Sequence, residues 1–210
     1  MERGKILERC YRGGATAVRL VAWLPARFGS RGTSERWRER LGLWPGDGTS
    51  ARGGALWVHA ASVGETAVAG TLIRALRGAC PGVPVLLTCN TATARALARE
   101  QSLAEEVRFF PIDHPRIVGR VLKLRRPRAF YFVETEIWPS LLLELHSRAV
   151  PAAMVNARIS ERSFRRYRLV RALLARALGT LTAVCARDEA SCQRLLALGA
   201  PPERTFCTGD

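Results

Sequence analysis

Apolar residues along this chain gather into runs of strand length at 56–61, 84–89, 107–110, 129–133, 152–155, 181–185 and 205–207. Between them lie segments with the three- and four-residue apolar spacing of helices, at 66–77, 93–101, 115–124, 137–147, 160–178 and 189–198. The strand runs are continuously apolar and do not alternate, the pattern of strands covered on both faces. Strand and helix in strict succession predict a parallel sheet with right-handed crossovers. The expected fold is therefore α/β, a Rossmann-like doubly wound parallel sheet, beginning near Ala55. Upstream, 29–52 turns polar, with Arg-Gly-Thr-Ser, Arg-Trp-Arg-Glu-Arg and Pro-Gly-Asp-Gly. It reads as a short helix at 35–41 followed by a loop. The expected division is 1–52, an N-terminal helical or membrane-associated segment with its linker, and 53–210, the Rossmann-like domain.

In open parallel sheets ligands bind beyond the carboxyl ends of the strands. The residues that follow each apolar run are therefore the ones to inspect. They are His59, Ser62, Gly64 and Glu65; Thr88, Asn90, Thr91 and Thr93; Asp113 and His114; Glu134, Thr135, Glu136 and Trp138; Asn156, Arg158 and Ser160; Arg187 and Asp188; Thr208, Gly209 and Asp210. Ser160, Asn90 and Asp188 have the residue types of ordinary helix N-caps. Glu65 suits the first turn of a helix, complementing its dipole. In Ser62-Val63-Gly64-Glu65 a carboxylate sits in a tight, glycine-containing turn at a helix start. Gly64 allows a ligand close to the backbone, and the N–H groups of a helix opening at Thr66 suit an anion. Glu134 and Glu136 are expected across the same cleft, with Glu134 the better shielded because it directly follows Tyr131-Phe132-Val133. Such a rim suits a sugar- or phosphate-handling site. Transfer of a sugar to a hydroxyl needs a base for the acceptor's proton, and an acid in a desolvated site can hold developing positive charge.

Charge and composition narrow the partners. The 210 residues carry 33 Lys+Arg against 18 Asp+Glu, a net charge of +15. That surface attracts nucleic acid, anionic lipid or phosphorylated glycolipid. An arginine-rich arm spans Arg158, Arg162, Arg165, Arg166, Arg168, Arg171 and Arg176, opposite an apolar helical face of Phe164, Tyr167, Val170, Leu174 and Leu178. It reads either as a solvated face or as a phosphate clamp beside the cleft. The chain has no nucleic-acid-binding motif and no aromatic stacking platform, so nucleic acid is not the expected partner, although a non-catalytic polyanion-binding module is the competing class. No GxGxxG follows the first strand and no GxxxxGK[ST] occurs, which speaks against dinucleotide or P-loop chemistry. The six cysteines form no CxxC pair and the three histidines have no metal-ligand spacing, so buried free thiols in a reducing compartment and no metal site are expected. The apolar segment 11–28 is interrupted by Arg12 and Arg19 and falls short of the ~20 apolar residues that span a bilayer. It reads either as an interfacial anchor or as a helix packed on the domain.

Three long motifs carry a resemblance. They are His59-Ala60-Ala61-Ser62-Val63-Gly64-Glu65, Glu134-Thr135-Glu136-Ile137-Trp138-Pro139 and Asn156-Ala157-Arg158-Ile159-Ser160-Glu161-Arg162-Ser163. Phe110-Pro111-Ile112-Asp113, Leu198-Gly199-Ala200, Thr208-Gly209 and Arg40-Leu41-Gly42 accompany them in order. The chain resembles the 3-deoxy-D-manno-octulosonic acid (Kdo) transferases of lipopolysaccharide synthesis from about Glu35 onward. The resemblance implies the N-terminal half of a GT-B glycosyltransferase that moves Kdo from CMP-Kdo to a lipid A precursor, inverting, metal-independent and without cofactor. It implies Glu65 as general base and Glu134 as transition-state support. The acceptor-binding residues expected are Ser62, Gly64, Glu136, Asn156, Arg158 and Arg162. It also implies a protein of the cytoplasmic face of the inner membrane. The sequence stops at Asp210, where the family continues into its donor-binding domain, so the expectation is an acceptor-binding half that is inactive alone.

Overall fold

The computed structural model describes residues 2–45 and 54–209. The expected loop therefore lies partly outside the described residues, as does Asp210. Two helices lead the chain, α1 (Glu2–Phe28) and α2 (Arg31–Arg40). Strands and helices then alternate: β1 (Leu56–His59), α3 (Val63–Ala79), β2 (Val85–Cys89), α4 (Ala92–Glu100), β3 (Glu106–Phe109), α5 (Pro115–Arg125), β4 (Ala129–Val133), α6 (Pro139–Ser147), β5 (Ala152–Ala157), α7 (Glu161–Leu169), α8 (Arg171–Leu178), β6 (Ala183–Ala186), α9 (Glu189–Leu198) and β7 (Thr205–Cys207). The strands form one parallel sheet in the order β3-β2-β1-β4-β5-β6-β7.

The burial of alternate strand residues shows why the runs read as unbroken. Trp57, Leu86, Phe130, Phe132 and Met154 point to one face, where they meet Val121 and Leu122 of α5, Leu141 and Leu145 of α6, Leu174 and Leu178 of α8, and Leu195 of α9. Val58, Leu87, Cys89, Val107 and Val133 point to the other, against Ala69 and Ile73 of α3 and Ala94 and Ala98 of α4. The chain winds one way from β1 to β3, crosses the sheet and winds the other way from β4 to β7. This is the doubly wound Rossmann-like architecture.

The expected single helix at 160–178 is two. Val170 leaves helical geometry (φ −114, ψ 20) and ends α7 while opening α8. The bend lets Phe164, Tyr167 and Val170 lie on the core while Leu173 and Leu174 are buried below them, so tertiary packing overrides a helical pattern that contains no Gly or Pro. The helix expected at 35–41 runs from Arg31 to Arg40. The run at 181–185 is apolar because Leu181 is a core residue ahead of β6, not because it belongs to the strand. At the end of α9, Gly199 (φ +108) sits where a Cβ would lie 2.5 Å from Ala175, so only glycine closes α9 against α8.

Helix α1 is bound to the domain along one face. Ala22 and Ala26 join Leu41 and Ile117 in a small core. Tyr11 donates its hydroxyl proton to Asp113 at 2.7 Å, and Thr16 Oγ1 lies 3.1 Å from His114 Nε2. Asp113 also accepts from the N–H groups of Ser140 and Leu141 that open α6, and its burial pushes its pKa upward. The second attachment is ionic. Glu39 of α2 is 2% exposed and accepts from Arg95 (2.8 Å), Arg108 (3.1 Å) and the Phe109 N–H (2.8 Å). Arg108 and Arg125 share Glu106. Removing one partner of a buried ionic cluster leaves uncompensated charge, at about 3–5 kcal/mol. Glu39→Ala is expected to lose stability in that range by urea denaturation, more than Glu161→Ala at the exposed pair with Arg165.

Candidate active site

In a doubly wound sheet the loops on the two sides of the winding reversal diverge and leave a crevice. Here the reversal falls between β1 and β4, which pair directly with His59 opposite Phe132. The loop after β1 carries Ser62, Gly64 and Glu65, and the loop after β4 carries Glu134, Thr135 and Glu136.

Helix α3 opens at Val63, not at the expected Thr66. Ser62 is its N-cap, accepting from the Glu65 N–H, and the Glu65 side chain reaches back one residue past the cap, a variant of the capping box. Glu65 Oε2 accepts from the Ala61 N–H at 2.8 Å and Oε1 from the Ser62 hydroxyl at 2.8 Å. The Thr66 N–H is spent on the Ser62 carbonyl, so the anion site expected at Thr66 is absent. Glu65 is buried and held in one orientation, with two of its roughly four lone-pair positions still open. Gly64 is exposed, and a Cβ there would meet no atom within 4 Å. The protein itself does not require this glycine, and the space beside Glu65 is open.

Glu134 faces this turn. It adopts φ +59, a left-handed conformation costly for a non-glycine residue, while its N–H donates to the Val155 carbonyl. Burial raises its pKa first, and the negative charges of Glu65 and Glu136 raise it further against the pull of Arg158 and Arg187. Glu134 and Glu136 are both half-buried.

Asn90 Nδ2 donates to Glu136 Oε2 at 3.1 Å, and Arg40 donates to the Asn90 carbonyl at 2.6 Å. His59 Nε2 lies 3.6 Å from the same Glu136 oxygen. Thr135 donates to the Arg158 carbonyl. Asn156 also has a left-handed backbone (φ +52), at the irregularity in the β5–β6 register, and its Oδ1 is buried without a hydrogen-bond partner among the described residues. Glu65, Glu134, Glu136 and Arg158 thus come together electrostatically. Arg162 does not join them by any hydrogen bond or ion pair among the described residues. It lies on α7, which has no buried residue and whose Arg165 pairs with Glu161.

The helix caps separate the structural residues from the others. Ser160 caps α7 and Asp188 caps α9, whereas α4 is capped by Thr91, leaving Asn90 to Glu136. Two neighbours of the cleft escaped sequence reasoning. Arg40 had a signal in the Arg40-Leu41-Gly42 segment. Tyr167 has none: it packs on the core as its apolar spacing predicts, and burial together with the nearby Glu136 raises its pKa.

The fold and the site together define a doubly wound, Rossmann-like α/β domain whose hydrogen-bonded and crowded carboxylates lie at the switch point, where such folds bind their ligands. A family model described as 3-deoxy-D-manno-octulosonic-acid transferase (kdotransferase) matches residues 35–210, and the chain belongs to that family. A 3-deoxy-D-manno-octulosonic acid transferase of Haemophilus influenzae is 31% identical over 84% of this chain and 41% of its own length. One from Bordetella pertussis is 38% identical over 69% of this chain and 35% of its own. The chain thus spans less than half the length of these relatives. A UDP-GlcNAc 2-epimerase from Neisseria meningitidis, solved with UDP-GlcNAc, shares the fold at a TM-score of 0.51 and 15% identity, over 74% of this chain and 46% of that one.

A carboxyl whose folded pKa is raised costs the folded state nothing while protonated in both states. It costs progressively more as pH rises through the ordinary carboxyl value, near 4.3. Glu134→Gln removes that cost. The variant is expected to match the native protein well below that value and to gain on it in melting temperature as pH rises above it. A constant difference across that range would contradict the crowding of Glu134.

Proposed function

We propose that this chain is the acceptor-binding half of a GT-B Kdo transferase, which moves Kdo from CMP-Kdo to a lipid A precursor in lipopolysaccharide synthesis. Family membership supports the chemistry. The single structural observation that carries the reading is the capped Glu65 facing Glu134 across the switch point, with open space at Gly64. Glu65 takes the proton of the acceptor hydroxyl as that oxygen attacks the sugar. Its two hydrogen bonds hold the carboxylate in place, so little reorganisation is needed. Glu134, in its ionised form, offsets positive charge developing on the sugar ring, and partial burial strengthens that interaction. Ser62, Gly64, Glu136, Asn156, Arg158 and Arg162 contact the acceptor. The donor is held by a second domain facing this one. The proposed reaction is inverting and calls on no metal or cofactor.

Glu65→Gln retains a side-chain acceptor for the Ala61 N–H, so the cap and the fold survive. In the full-length enzyme carrying this sequence, it is expected to lower transfer from CMP-Kdo to a tetraacyl disaccharide bisphosphate by at least about 10²-fold. Full turnover by this variant would remove the base from Glu65.

We further propose that α1 lies on the cytoplasmic face of the inner membrane. Opposite its packed face it exposes Ile6, Val21, Leu24 and Phe28, with Arg9 and Arg27 beside them, and among the described residues no helix is long and apolar enough to cross a bilayer. An apolar stripe with cationic borders suits an anionic interface. Co-sedimentation with phosphatidylglycerol-containing vesicles is expected to weaken with salt and to fall about tenfold or more in Leu24→Asp/Phe28→Asp.

A further inference from the structure

His59 ends β1 and is fully buried. Its ring lies against Phe110, centroids 3.9 Å apart and tilted by 31°. Nδ1 lies 2.9 Å from the Thr88 carbonyl oxygen and 3.1 Å from Thr88 Oγ1; the shorter contact is to an oxygen that can only accept, which favours a proton on Nδ1. The ring orientation and one ring nitrogen are thereby fixed. The other nitrogen, Nε2, has no hydrogen-bond partner among the described residues and faces Glu136 Oε2 at 3.6 Å. A bare nitrogen lone pair opposed to a carboxylate oxygen is repulsive, so the arrangement is favourable only with a proton between them. Asn90 Nδ2 donates to the same oxygen. No described residue hydrogen-bonds Glu136 Oε1.

We propose that His59 is a positioning residue of the cleft: its Nε2–H and the Asn90 amide together hold Glu136 Oε2, so that Oε1 is presented to accept a hydroxyl of the sugar ligand. This rests on the acceptor-site reading above and goes further in assigning the buried histidine and the orientation of Glu136. Contacts of this kind are often long without ligand and tighten when it binds. A ligand hydroxyl on Oε1 draws the carboxylate into line, and the 3.6 Å gap leaves room for that tightening. The charged and titratable groups facing Glu136 are His59 from β1, Glu134 on its own loop and Tyr167 of α7, while Glu65, Arg158 and Arg187 act on the neighbouring Glu134. Of these, His59 is buried, rigid and within ion-pair range of Glu136. Full burial with Phe110 against the ring keeps His59 from turning out to solvent.

The deciding measurement is the ¹⁵N–¹H long-range correlation spectrum of the imidazoles in this chain near neutral pH. His59 is expected to show protons on both Nδ1 and Nε2. In Glu136→Gln the Nε2 signal should move to that of an unprotonated nitrogen while Nδ1 stays protonated. In Glu134→Gln, which alters the local charge equally but not the contact, both should remain. A bare Nε2 in the native chain, or the same change in both variants, overturns the proposal. In the full-length enzyme, His59→Gln and Glu136→Gln should each lower kcat/KM about tenfold, and the double variant should lose no more than either single one. Additive losses would mean that the two residues act separately, which also overturns it. If His59→Gln fails to fold, the spectrum of Glu136→Gln decides alone. If the full-length enzyme transfers no Kdo at all, the acceptor-site reading falls, while the imidazole spectra still decide the His59–Glu136 contact.

Discussion

The reversal of winding between β1 and β4 is the constraint on which the rest of this molecule depends. Parallel strands buried on both faces have only one place where neighbouring loops part, and here that place receives the ends of β1 and β4. The sheet brings a helix N-terminus and a left-handed turn to opposite sides of one crevice, and each delivers a carboxylate. Neither group is free to relax. Glu65 is tied to the Ala61 N–H and the Ser62 hydroxyl, and Glu134 is fixed by a backbone conformation that bulky or β-branched residues would resist.

Crowding three carboxylates there is opposed from the basic side. Arg158 and Arg187 act on Glu134 from the ends of the next two strands, and Asn90 donates to one oxygen of Glu136, with His59 Nε2 3.6 Å from that oxygen. The large net charge of the chain is therefore not a uniform coat. Part of it neutralises Glu39 and Glu106 where α2 meets β3, part moderates the cleft, and part covers α7 in solvent.

The sheet and most helices were legible in the sequence, because burial on both faces writes itself into unbroken apolar runs. Glu65 and Glu134 were legible for a related reason: strand ends are countable once strands are found. What escaped was local chemistry that alternative structures could satisfy equally well, or contacts far apart in the chain. Ser62-Val63-Gly64-Glu65 has the spacing of a capping box but fits a turn before a helix opening at Thr66 equally well, and that alternative puts an anion site where the N–H group is already used. The break at Val170 carries no Pro or Gly and follows from packing alone. The pairing of His59 with Glu136 joins residues 77 positions apart through a sheet register, and no spacing rule reveals it.

The docking of α1 bears on how this protein can be handled. An exposed apolar helix at an N-terminus invites deletion to improve solubility. Here the inward side of that helix covers Asp113 through Tyr11 and shields Ile117 through Ala22 and Ala26. Cutting it away would exchange one greasy surface for another and uncover a carboxylate that also secures the start of α6, so trimming the outward side chains one by one is the gentler route to a tractable sample.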